Sequence, residues 1–274
     1  MWYHDTDKKK LTEDQTLGKL RAVIFTAPMG HDVVRVKDEV GRWLTETGLF
    51  EVRHAGWFPS APMTVDAFMA DEEAVRQTDL FFLNCPDDPF TTEESKRALE
   101  RAVAEGAGFL GFHGIQPSCR NWQEIEKMIG LLWRETASHG DYDWFTVTPE
   151  EPDHPIMRGV KPFRTKEEVY CGLTNVHNVP LTVLASAHSP KERLSRHGHP
   201  GTGNEEPILT LGSYGKGTTV NFLLGHVWPF YTGHGLLENT MLSFRPPEVK
   251  TMLVRSCLWA ARNSRVIGNG VISC

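Results

Sequence analysis

Apolar runs of strand length alternate with amphipathic segments over the first half of the chain. Three such runs predict buried strands at residues 20–26, 50–53 and 80–84. After the first run, apolar side chains recur at helical spacing and stop before Gly48; they are Val33, Val36, Val40, Trp43 and Leu44. A weaker helical pattern covers residues 64–75. The repeated strand-helix order predicts an α/β fold with a mostly parallel sheet and helices on both faces.

Start signals predict where three further helices begin. Thr91 and Glu94 have the spacing of a capping box, for a helix through residue 105. Asp153 precedes a short segment that starts at Pro155, and it is expected to cap a helix there. Pro247 stands at a permitted first-turn position for a last helix that ends near residue 262.

The regular alternation of strands and helices ends after residue 130. Strand patterns occur at residues 142–148 and 181–186, without a clear helix between them. Residues 188–206 are rich in His, Gly, Ser and Pro and predict a surface insertion. Two strands joined by a glycine-rich hairpin follow, at residues 208–212 and 218–224. We therefore predict a polar N-terminal arm over residues 1–18 and one domain over residues 19–274.

The central strand of this pattern ends at His113, where the sequence predicts a functional site. An apolar strand runs into Gly111-Phe112-His113-Gly114, and a helical pattern begins near Asn121. A strand that stops at a glycine-flanked polar residue before a helix lifts that side chain above the carboxyl edge of a parallel sheet. The sequence therefore predicts a site built around an imidazole.

Imidazoles also follow the first and the last of the predicted buried strands. His31 comes after the first strand, His113 after the fourth and His226 after the last. Ligands of open parallel sheets bind outside the carboxyl ends of the strands, so these side chains are expected to meet. An imidazole can act as an acid, a base or a metal ligand near neutral pH. Asp32, beside His31, is a candidate substrate contact or a plain helix cap.

A set of short motifs occurs in an order that resembles a known family. They are Gly111-Phe112-His113-Gly114, Trp133-Arg134-Glu135, Asp153-His154-Pro155-Ile156, Glu167-Glu168-Val169-Tyr170, Tyr214-Gly215-Lys216-Gly217 with Gly225-His226, and Leu258-Trp259-Ala260-Ala261. Together they resemble the ThuA-like (trehalose-utilisation) family over residues 20–262. The resemblance implies a flavodoxin-like domain, similar to class I glutamine amidotransferases. It also implies a link to disaccharides and their 3-keto derivatives.

The chain departs from the amidotransferases at their catalytic residues. Those enzymes carry a cysteine at the elbow where this chain has His113, and a His-Pro-Glu triplet where it has His226-Val227-Trp228. Without the thiolate and the glutamate, thioester chemistry on glutamine is excluded at this site. Cys85 follows the third strand, beside a proline, and is expected to pack.

The predicted site contains acid-base, metal-binding and substrate-binding residues. We expect His113, His226 and Glu168 to be catalytic, and His31, His113 and His226 to be the ligands if a divalent metal such as zinc, manganese or iron binds. The substrate-binding candidates are Asp32, Arg134, Glu135, Trp228 and Tyr231. Some of these residues have a structural alternative: Arg134 and Glu135 could form an ion pair with each other, Glu168 could be a surface carboxylate, and Trp228 could cover the core.

Charge and composition limit the classes of partner, the cellular location and the cofactors that we expect. The net charge is −6 and the longest basic run is Lys8-Lys9-Lys10, so nucleic acid and anionic membranes are not expected partners. The N-terminus lacks the apolar core of a signal peptide, and the five cysteines lack CxxC spacing, which together favour a cytoplasmic location. The glycines at 212–217 join two strands and do not open a helix, so no NAD site is predicted. A homo-oligomer is left open.

The leading hypothesis is a sugar-processing enzyme that acts on a disaccharide or 3-keto-glycoside by isomerisation, elimination or hydrolysis. Two alternatives remain open at this point. The chain could be a non-catalytic sugar-binding or regulatory module, or an accessory subunit of a sugar oxidoreductase.

Overall fold

The computed structural model of the chain describes residues 18–28, 30–57, 61–192, 200–229 and 241–261. The strands are β1 (Leu20–Thr26), β2 (Phe50–Gly56), β3 (Leu80–Asn84), β4 (Gly108–Phe112), β5 (Ser138–His139), β6 (Asp143–Pro149), β7 (Phe163–Glu167), β8 (Tyr170–Cys171), β9 (Thr182–His188), β10 (Glu205–Tyr214) and β11 (Gly217–Phe222). The helices are α1 (Val33–Glu46), α2 (Val65–Met69), α3 (Glu72–Gln77), α4 (Glu93–Ala104), α5 (Gln123–Ile129) and α6 (Pro247–Ala260).

Within the described ranges, nine strands form one sheet in the order β2-β1-β3-β4-β11-β10-β9-β6-β7. The strands from β2 to β11 in this order pair in parallel. Beyond β11 the remaining strands extend the sheet with antiparallel pairs, including the predicted β10-β11 hairpin. The predicted α/β class is confirmed. The end of the strand-helix alternation after residue 130 corresponds to the antiparallel extension of the sheet.

Helices cover both faces of the sheet, as the amphipathic patterns predict. The apolar sides of α1 and α6 share one buried cluster with alternate side chains of the strands. Helices α2 to α5 pack into a second cluster on the other face, around Phe25, Phe81 and Phe109. Strands β3 and β4 are buried along their whole length, since they lie between the two layers.

Three local predictions are wrong. The cap of α4 is Thr92, which accepts from the Ser95 backbone N–H at 3.2 Å, because the Thr91 hydroxyl is engaged by Asp66. Residues 64–75 do not form one helix: they hold α2 and the first residues of α3, since Asp71 caps the second helix. Asp153 is exposed at a turn and caps no helix; the His154 Nδ1 there accepts from the backbone N–H of Ile156 at 3.2 Å.

Part of the predicted domain organisation lies outside the described residues. This applies to residues 1–17 of the predicted arm and to residues 193–199 of the predicted insertion. The described parts of residues 188–206 connect β9 to β10, which pair antiparallel. In the part of the chain that the structure describes, no helix has the length and apolar character needed to cross a bilayer.

A close backbone approach brings the ends of β4 and β11 together. Gly225 has a φ of +129°, and a Cβ atom there would lie 2.1 Å from the Phe112 ring. Only glycine combines this backbone conformation with this proximity. Since His113 follows Phe112 and His226 follows Gly225, the glycine places both imidazoles at one sheet edge.

Candidate functional site

Three imidazoles converge at the carboxyl edge of the parallel strands. His31, His113 and His226 each offer a ring nitrogen, and these atoms lie within 4.8 Å of one another. The ring centres of His31 and His226 are 4.3 Å apart, and each is 5.2 Å from that of His113. His113 and His226 are buried, whereas His31 is half-buried. The topology thus brings together the three histidines that follow β1, β4 and β11.

The partners of His113 assign its tautomer. Its Nδ1 lies 2.8 Å from the Leu223 carbonyl oxygen, which can only accept, so Nδ1 carries the proton. The lone pair is then on Nε2, to which the Tyr170 hydroxyl donates at 3.0 Å. Burial, together with the nearby His226 and His31, lowers the pKa of His113 well below its ordinary value. His113 is therefore a neutral imidazole at pH 7.

Glu168 contacts His226, the second buried imidazole. Because Glu168 is itself buried, it is not the surface carboxylate that the sequence left open. Its Oε2 lies 3.0 Å from His226 Nδ1 and 3.7 Å from His139 Nδ1. Burial alone would raise the pKa of Glu168, but the hydrogen bond from His226 and the charges of nearby histidines outweigh it and lower the pKa. With Nδ1 donating to Glu168, the lone pair of His226 is on Nε2. That atom is buried and has no hydrogen-bond partner among the described residues.

Glu167 supports the segment that carries His226. Its carboxylate is fully buried and accepts from the backbone N–H groups of Gly225 and His226, at 2.8 and 2.7 Å. One of its oxygens is 3.8 Å from His113 Nδ1. Burial raises the pKa of Glu167 to about 8, although the two backbone hydrogen bonds act in the opposite direction. The Glu167 carboxylate therefore binds the backbone of His226 and lies beside the ring of His113.

Aromatic rings line the cluster. The Tyr170 ring lies against His113 with ring centres 4.5 Å apart, and half-buried Trp133 packs edge-on to Tyr170. Trp228, also half-buried, lies over His226 with ring centres 4.1 Å apart. Sugars bind to such rings through their C–H faces. Of the two aromatic substrate-binding candidates, Trp228 is at the cluster, and Tyr231 lies outside the described residues.

The polar substrate-binding candidates make structural contacts or are exposed. The Asp32 side chain caps α1 by accepting from the Arg35 backbone N–H at 3.1 Å. Arg134 forms its ion pair with Glu126, at 2.7 Å, and not with the neighbouring Glu135, which is exposed. Their substrate-binding roles stay predictions.

The donor set of the cluster fits a divalent metal. Neutral imidazole is a good ligand for zinc and iron, and the low pKa of His113 keeps its ring available at neutral pH. One nitrogen of His113 is held by a carbonyl and one nitrogen of His226 by a carboxylate. Such outer contacts are usual behind metal-binding histidines, because they fix the ring and its tautomer.

Comparison with known proteins gives the family. A family model described as trehalose utilisation, ThuA, matches residues 21–260. The chain belongs to the ThuA family. The resemblance expected from the ordered motifs is therefore confirmed. No curated protein matches the chain.

Solved ThuA-like proteins share the fold. One from Parabacteroides merdae ATCC 43184 is 20% identical with a TM-score of 0.71, covering 90% of this chain and 91% of the other. Another from Bacteroides uniformis ATCC 8492 is 15% identical with a TM-score of 0.60, covering 89% and 91%. A glutamine amidotransferase from Thermotoga maritima is 14% identical with a TM-score of 0.43, covering 90% and 100%.

Three residues of the candidate site were not predicted from the sequence: Glu167, Tyr170 and His139. Glu167 had a usable signal, since it continues the buried register of Phe163 and Thr165 along β7. A carboxylate in a buried register is costly unless it is hydrogen-bonded, and so points to a site. No comparable signal marks His139, which is brought in by the pairing of β5 with β8.

Proposed function

We propose that this ThuA protein is a sugar-processing enzyme whose site is the cluster of His31, His113 and His226. Family membership supports a sugar-related role. The observation that carries the proposal is the convergence of three imidazole nitrogens within 4.8 Å beside a buried carboxylate, Glu168. Disaccharides or 3-keto-glycosides are the proposed substrates, and the aromatic rings around the cluster suit them.

The two buried histidines and a bound metal would have different chemical roles. The neutral ring of His113 and the Glu168-supported ring of His226 can each accept a proton from a substrate hydroxyl or an acidic C–H group and return it. A divalent metal, held by the three histidines, would stabilise negative charge on a substrate oxygen. The buried positions of His113 and His226 limit water around the reacting atoms, which strengthens such electrostatic interactions.

The test is metal content and turnover on a panel of disaccharides and 3-keto-glycosides, for wild type and two variants. His113→Ala and His31→Ala should both lose metal and turnover. His31 is only half-buried, so its variant keeps the test valid if His113→Ala does not fold. His188→Ala is the matched control, because His188 is exposed, pairs with Glu205 and is not one of the three converging histidines.

Three outcomes are informative. Metal and turnover that are lost together in the cluster variants, and kept in the control, support the proposal. Turnover without metal that still depends on His113 restricts the chemistry to acid-base catalysis. Sugar binding without any turnover in wild type would contradict the enzyme and leave a binding module.

A further inference from the structure

The Tyr170 hydroxyl occupies the lone pair through which His113 would bind a ligand. Because His113 Nδ1 donates to Leu223, only Nε2 can accept, and the Tyr170 hydroxyl lies 3.0 Å from it. An imidazole nitrogen has one lone pair, so it cannot serve the hydroxyl and a metal or a substrate hydrogen at the same time. Any ligand of His113 Nε2 therefore releases the hydroxyl of Tyr170.

The released hydroxyl stays at the centre of the site. The Tyr170 ring is buried, lies against His113 and is packed edge-on by Trp133, so the ring has little room to turn away. A buried hydroxyl without a partner is unfavourable, and it would take the nearest acceptor. His226 Nδ1, which lies 3.3 Å from His113 Nε2, carries its proton toward Glu168 and cannot accept. Glu168, the nearby carboxylate, already accepts from His226 Nδ1 at 3.0 Å, so the acceptor we expect for the released hydroxyl is an oxygen of the bound molecule.

We propose that Tyr170 is a substrate-binding residue of this site, which donates a hydrogen bond to a hydroxyl or carbonyl oxygen of the sugar once His113 has bound its own ligand. The tyrosine keeps its proton throughout. An independent observation also points to ligand binding here: His226 Nε2, in the same cluster, is buried and has no partner among the described residues. This inference rests on the proposed function, since it assigns a contact to the same substrate.

The test is Tyr170→Phe, which removes the hydroxyl and keeps the ring against His113. Zinc binding and sugar binding are measured separately by calorimetry, with zinc chloride and with the best sugar of the wild-type panel. Zinc affinity should be unchanged or higher, because the ion no longer competes with the hydroxyl. Sugar affinity should fall by about tenfold or more, because one hydrogen bond to the substrate is lost.

Tyr214→Phe is the matched control. Its hydroxyl donates to Glu124 at 2.6 Å, on α5, so the variant loses a tyrosine hydrogen bond away from the cluster. It should change neither affinity.

The two affinities separate the possible results. If Tyr170→Phe weakens zinc and sugar to the same extent, the hydroxyl only orients His113 and the inference is wrong. If sugar affinity is unchanged, Tyr170 does not contact the substrate and the inference is also wrong. If wild type binds sugar but no zinc, the metal part of the proposed function fails, and the sugar affinity of Tyr170→Phe still decides the role of Tyr170. If wild type binds neither, the proposed function and this inference both fail.

Discussion

Gly225 allows the two buried imidazoles to meet, and Gly225→Ala should therefore destabilise the protein and damage the site. Its φ of +129° strains any L-residue, at a cost of about 1–3 kcal/mol. The added Cβ would lie 2.1 Å from the Phe112 ring, and such overpacking costs about 1–3 kcal/mol more. The free energy of unfolding should fall by about 2–6 kcal/mol. Relief of this clash should shift the backbone at position 225, which donates to Glu167, and so move His226 away from His113.

Urea unfolding at equilibrium measures the first effect, and zinc titration of the folded variant measures the second. Gly48→Ala is the matched control, since Gly48 also has a positive φ, +72°, but no atom lies within 4 Å of the added Cβ. The control should lose about 1–2 kcal/mol, from backbone strain alone. If Gly225→Ala costs no more than this, or if it binds zinc as wild type does, the close approach to Phe112 does not position His226.

Three further changes test other parts of the structure. Glu168→Gln should weaken zinc binding by about 10–100-fold, because it removes the carboxylate that holds His226; an unchanged affinity by calorimetry would contradict this. Gln116→Met should raise the free energy of unfolding by about 1 kcal/mol, since both polar atoms of this buried amide lack partners among the described residues; urea unfolding that shows a loss would count against it. His54→Gln should make stability less sensitive to acid. Burial lowers the pKa of His54, so the unfolded chain takes up its proton first as pH falls, and wild type should lose more stability than the variant between pH 7 and pH 5. Equal losses for both proteins in urea unfolding would refute this reasoning.

The strands and the long helices follow from the sequence because their patterns are local. The limits of β1 and β3 agree with the apolar runs, since strands buried on both sides are nearly all apolar. Helix α1 was predictable from its apolar stripe. The cap of α4 was not, because Thr91 and Thr92 are both good caps, and the choice depends on Asp66, which is distant in sequence.

The core of the site follows from topology, and its periphery does not. The carboxyl ends of parallel strands share one edge, so His31, His113 and His226 could be expected to meet. The partner of Arg134 could not be predicted, because Glu126 lies on α5 and is as close in sequence as several other carboxylates. Tyr170 and His139 enter through short strands outside the main sheet, whose pairing has no local signature.

Titration of zinc into wild type and His113→Ala tests the central claim most directly. Wild type should bind one zinc ion per chain, and the variant should bind zinc at least about 100-fold more weakly, because one of three converging ligands is removed. No binding to wild type, or the same affinity in both proteins, would contradict a metal site formed by the three histidines.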